Sequence, residues 1–171
     1  INLKDVAERV VFGKLWNAGQ TCVAPDYIFL PRGKTNEFIR CFKAVMKSMY
    51  PTLRDNQDYT SIINDKQNKR IKGYLEDALQ NGAKATEINP ANEELDSVRK
   101  IAPTLLTNVT ADMEIMKNEI FGPVLPIIEY DQIDEVIEFI NDRPRPLALY
   151  YFDFNDARAE YVAHRTHSGH F

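Results

Sequence analysis

Apolar residues fall into two alternating rhythms along this chain, and that alternation is the tightest constraint on its fold. Phe38, Ile39, Phe42, Val45, Met46 and Met49 recur at three- and four-residue steps behind Thr35, which is read as the cap of an amphipathic helix. A second helical stretch runs from Asp65 to Asn81 with Ile71, Tyr74, Leu75, Ala78 and Leu79 on one side, and Gly82 ends it. Between and beyond these lie short runs dense in apolar residues: Tyr27–Leu30, Lys84–Ile88, Ile101–Thr107, Val124–Tyr130 and Leu147–Phe152. Each has the length of a strand. Helices are also expected over Asn2–Leu15, with Asn2 as cap and Asp5 in the capping-box position, over Ile133–Ile140 behind Asp131, and over Asp156–Arg165. Strands alternating with helices of this size imply an α/β fold, a largely parallel sheet with helices on both faces. Pro126 removes one donor from its strand, which points to an irregular or edge position.

Composition narrows the classes of partner. The chain has 171 residues, room for one domain with a continuous core. Its 21 basic and 25 acidic residues leave a formal charge of −4, so no nucleic acid or anionic membrane partner is expected. The apolar runs are too short for a membrane-spanning segment. Ile1–Asp5 has no signal-peptide character. Cys22 and Cys41 are too few for a disulfide framework, which suits a cytoplasmic setting.

Chemistry is sought where parallel sheets collect it, at the carboxyl ends of strands and at helix termini. Two loops stand out, Asn17–Pro25 and Asn118–Val124. Neither GxGxxG nor a GxxxxGK[ST] phosphate loop occurs, since Gly13-Lys14 and Gly33-Lys34 lack the flanking glycines. There is no GxSxG elbow. Asn17-Ala18-Gly19-Gln20-Thr21-Cys22 sets one thiol just past a turn-forming glycine, where a thiolate could attack a carbonyl and backbone N–H groups could hold the oxyanion. The same spacing fits a small packed cysteine equally well. Cys41, between Phe38 and Phe42, reads as core. In Glu119-Ile120-Phe121-Gly122-Pro123-Val124, a carboxylate able to accept from a ribose diol stands beside an aromatic able to cover a flat heterocycle; a solvated acid and a core plug would look the same. His164, His167 and His170 are spaced by three, but Gly169 interrupts them and no metal site is expected.

In both loops the chain resembles the aldehyde dehydrogenase superfamily, through its N-x-G-Q-x-C and E-I-F-G-P-V patterns. Gln20–Tyr27, Glu119–Ile127 and Pro146–Tyr150 are most similar to the class 3 and coniferyl aldehyde dehydrogenase branch, and the likeness extends over essentially all 171 residues. The resemblance implies that residues 1–171 form an aldehyde dehydrogenase catalytic domain. It implies NAD or NADP as cofactor and an aldehyde substrate, coniferaldehyde among the candidates. Cys22 takes the nucleophile's place, with Asn17 as a loop-shaping amide, while Glu119 matches the ribose-binding glutamate and Phe121 the aromatic beside the nicotinamide. The family's dinucleotide-binding domain, general-base glutamate and oxyanion asparagine belong upstream of Ile1. His170 stands where a second glycine is usual, and the oligomerisation segment that makes the homodimer would follow. The chain alone is therefore expected to be inactive as a dehydrogenase. A docking module, or a Cys22-dependent esterase or redox thiol, are the other readings.

Overall fold

The computed structural model describes residues 2–171. Helix α1 covers Leu3–Leu15, and Asn2 caps it by accepting the Lys4 amide. Strand β1 is Ile28–Pro31, followed by α2 at Thr35–Met49 and α3 at Asp65–Gln80. Then come β2 at Lys84–Glu87, β3 at Thr104–Thr107, the short α4 at Glu114–Lys117, β4 at Val124–Tyr130, α5 at Ile133–Asn141 and α6 at Asp156–Arg165. The four strands form one sheet in the order β1-β4-β3-β2. The β1–β4 and β3–β4 pairs are parallel, and β2 joins the edge antiparallel.

Alternation along the strands divides the core in two. Leu30, Leu105, Leu125 and Ile127 point toward α1 and α2, where they meet Val10, Phe38, Phe42 and Met46. Leu106, Val124 and Ile128 take the opposite face and pack with Ile71 and Ala78 of α3 and with Ile115 and Met116. Helices thus cover both faces, as an α/β layering requires. Each buried Leu or Ile on these faces contributes about 1.5–3 kcal/mol.

Four local expectations are corrected. Thr35 does not cap α2: Lys34 occupies that place with no side-chain capping bond, and the Thr35 hydroxyl donates instead to Glu129 at 2.7 Å. Likewise, Gln132 rather than Asp131 occupies the cap position of α5, and Asp131 is taken up by the Arg32 guanidinium at 2.6 and 2.7 Å. Pro126 lies in an interior strand. It is tolerated because β4 changes partner there: pairing with β3 ends at Pro126, and pairing with β1 begins at Ile127. Finally, Leu147–Phe152 forms no strand, only a bridge between Ala148 and His170. An apolar run becomes a strand only when a neighbour supplies the ladder.

Candidate active site

Helix α1 ends at Leu15, and the chain then turns through three successive left-handed residues: Asn17 at φ 54°, Ala18 at 53° and Gly19 at 75°. For Asn17 and Ala18 this conformation costs about 1 kcal/mol each, so surrounding contacts must hold it. Several do. The Asn17 amide donates to the Gln20 carbonyl at 3.2 Å, and Gln20 Nε2 donates to Asn17 O and to Ser61 O at 3.0 and 3.1 Å. Gln20 Oε1 accepts the Ile63 amide at 2.9 Å. Cys22 follows in an exposed turn closed by Ala24 N–H donating to Thr21 O. From the other side, the Tyr150 hydroxyl donates to Val23 O at 3.0 Å.

Glu119–Val124 forms the neighbouring loop. Glu119 is exposed and Ile120 fully buried, while Phe121 adopts φ 49° with its ring 39 % exposed. Arg70 of α3 fastens this backbone by donating to the Glu119 and Ile120 carbonyls at 3.1 and 2.7 Å. The Ile120 amide donates to Asp26 Oδ1 at 3.1 Å. Asp26 belongs to the cysteine loop's exit, so this bond ties the two loops together.

Gly19 and Gly122 make the closest junction. A Cβ on Gly19 would lie 2.3 Å from Gly122 O and 3.0 Å from Lys14 O; one on Gly122 would lie 2.6 Å from Ile71 Cδ1. Backbone therefore meets backbone, and the loop that carries Asn17 and Cys22 abuts the loop that carries Glu119 and Phe121. Both loops lead into the amino ends of the adjacent parallel strands β1 and β4, not their carboxyl ends. The helix terminus, here the end of α1, is the part of that expectation the structure retains. Cys41 is half-buried and packed against the α1–α2 core.

The other nominated residues are placed apart. His164 lies in the last turn of α6, His167 beyond it, and His170 on the bridge to Ala148. Among the described residues no cluster of three His, Cys, Asp or Glu side chains could hold a metal ion. Among them, too, no helix is long and apolar enough to cross a membrane. Arg70, Asp26 and Lys14 are participants that motif reading did not select. Lys14 is 1 % exposed, and its Nζ has no hydrogen-bond partner among the described residues. Its place on the apolar stripe of α1, three and four residues after Val11 and Val10, was the available signal.

The sequence model of the aldehyde dehydrogenase family matches residues 1–171. The chain belongs to the aldehyde dehydrogenase family. Among the relatives of this aldehyde dehydrogenase chain, the probable coniferyl aldehyde dehydrogenase of Pseudomonas aeruginosa is 47 % identical over 169 residues, 99 % of this chain and 35 % of that protein. The substrate-bound AldH of Staphylococcus aureus superimposes with a TM-score of 0.87 at 37 % identity, covering 99 % of this chain and 36 % of that one. The NADP complex of the NADP-dependent glyceraldehyde-3-phosphate dehydrogenase from Bacillus halodurans C-125 gives 0.82 at 29 % identity, covering 98 % and 34 %. The chain thus spans about a third of the length of the relatives it matches.

Proposed function

We propose that these residues are the catalytic domain of an NAD(P)-dependent aldehyde dehydrogenase that oxidises an aromatic or aliphatic aldehyde, coniferaldehyde among them, to the carboxylic acid. The backbone junction of Gly19 with Gly122 supports the reading, because it joins the loop that carries the exposed Cys22 to the loop that carries the exposed Glu119 and Phe121. The Cys22 thiolate attacks the aldehyde carbon, and the carbonyl pair moves to oxygen as the C–S bond forms. The Cys22 backbone N–H helps hold that oxyanion. NAD(P)+, when bound, supplies the acceptor for the hydride that leaves the same carbon, and the C–O double bond re-forms as a thioester. Water then breaks the C–S bond, releasing the acid and restoring the thiolate. Glu119 accepts from the nicotinamide ribose hydroxyls, Phe121 packs at the nicotinamide end, and Asn17 keeps the cysteine turn in shape. The groups that bind the cofactor phosphates, the general base and the dimer contacts come from other parts of a cytoplasmic homodimer, so the isolated chain does not turn over.

Competitive alkylation with peptide mass spectrometry tests this on the chain itself. Coniferaldehyde should protect Cys22 saturably against iodoacetamide and leave Cys41 unaffected. Equal behaviour of the two thiols would sink the nucleophile assignment, and sustained NAD(P)H production by the isolated chain would sink its dependence on the other parts.

A further inference from the structure

The end of α5 and the segment after α6 enclose a recess whose residues the chemistry above does not use. It measures about 460 Å³ and is lined by Ile140, Asn141, Arg143, Arg145 and His167, none of them acidic. Arg32, Arg54, Arg99 and Arg158 pair with carboxylates at 2.6, 2.6, 3.8 and 2.6 Å, whereas Arg143 and Arg145 pair with none among the described residues. Both guanidiniums are nonetheless held in place. Arg143 lies over the Phe139 ring, 3.3 Å from its centroid, and its Nη1 donates to the Phe139 carbonyl at 3.1 Å. Arg145 Nη2 donates to the Ser168 carbonyl at 2.8 Å. Each gives one N–H to the backbone, and a guanidinium has five.

The helix-end carbonyls that would repel an anion here are already taken up. Phe139 O accepts from the Arg143 side chain and Ile140 O from the Arg143 amide at 3.3 Å, while Asn141 Nδ2 donates to Arg165 O at the end of α6 at 2.8 Å. Two fixed cations with unspent donors, an imidazole beside them and no counter-charge suit an anion.

We propose that this recess binds a small phosphate monoester. A carboxylate brings one charge and two oxygens, which a single guanidinium fork satisfies. A phosphate monoester brings about −1.5 to −2 charges and three terminal oxygens, which match two guanidiniums. Arg143 and Arg145 take the phosphate, His167 adds a donor, and Ile140 gives the organic body an apolar wall. The volume falls in the range of small-molecule sites, roughly 300–1,000 Å³, and leaves room for that body. Cys22, Glu119 and Phe121 do not line the recess, so it takes its ligand independently of the chemistry proposed above.

The test follows the Arg143 and Arg145 Nε–H resonances of the isotope-labelled chain at constant pH and ionic strength. Inorganic phosphate probes the charged group, glycerol 3-phosphate the organic body, acetate the carboxylate alternative, and NAD+ the diphosphate of the cofactor. Saturable shifts of both arginines are expected with the first two, glycerol 3-phosphate binding at least as tightly as phosphate. Acetate should need about tenfold higher concentration or more, and NAD+ should leave both resonances unmoved. Arg143→Gln and Arg145→Gln should each weaken phosphate binding about tenfold or more. Arg145 is exposed, so its variant carries the test if the Arg143 variant does not fold. Arg40→Gln, an exposed arginine of α2, should change nothing. The proposal is overturned by the lack of a saturable shift, by acetate binding as tightly as phosphate, or by exclusion of glycerol 3-phosphate. Shifts with NAD+ or unaltered binding in Arg145→Gln would overturn it equally.

Discussion

Two lysines are buried in this chain, and their surroundings could hardly differ more. Lys100, 8 % exposed, gives its three protons to the carbonyls of Leu53, Arg54 and Asn56 at 2.8, 2.8 and 2.9 Å. It is the clasp of the turn after α2, where Glu93 also accepts the Leu53 and Arg54 amides and Tyr59 donates to Ile101 O. Lys14, 1 % exposed, has no such acceptors among the described residues and faces Asp26 only through space. A buried charge with every proton placed serves the fold. One left unpaired weakens the fold locally, and in this chain it lies under the loops that carry the candidate chemistry. Sites that work against stability are a common signature of function.

The sharpest way to break this contrast is Lys100→Met. It strips three carbonyls of a charged donor and should destabilise the chain by about 3–5 kcal/mol, read as a lowered melting temperature. Lys14→Met should act in the opposite direction. The folded value of about 8 lies below the unfolded 10.5, so below pH 8 both states hold the proton and the folded state bears the full penalty of burying it. Removing the charge should raise stability by up to roughly 3 kcal/mol near neutral pH. That advantage should shrink as pH climbs from 8 toward 10.5, where the wild-type lysine sheds its proton. Denaturant melts of both proteins at a series of pH values measure it; a constant difference would show that Lys14 does not titrate there. The smallest effect is reserved for Gln20→Ala. It deletes the bonds to Ser61 and Ile63, and should cost about 1–2 kcal/mol while speeding alkylation of Cys22 relative to Cys41.

How much of this was legible beforehand depended on whether the cause was local. The limits of α3 and α6 follow from nearby sequence, and the structure, which caps them with Asn64 and Asn155, ends each within a residue of its expected place. The strand expected at Leu147–Phe152 has the right composition, but its pairing partner is a property of the whole sheet, and only Ala148 finds one. Pro126 misled for the same reason, because the place where β4 changes neighbours cannot be read from β4 alone. In the candidate site, the two motif loops were visible as strings, whereas Arg70, about fifty positions before the carbonyls it holds, carried no local mark. Lys14 does carry a local mark, since on a helical wheel it falls among Val6, Val10 and Val11.

The junction of Gly19 with Gly122 has a consequence in time as well as in space. It joins positions roughly a hundred residues apart, and such contacts form only after the intervening chain has given up its freedom. During synthesis Cys22 emerges about a hundred residues ahead of Gly122, so the neighbouring loop does not exist until well after the thiol has been made. A nascent chain that stops short of that glycine lacks the Glu119–Val124 neighbour of the cysteine loop, so their junction belongs to the two segments together and to neither alone.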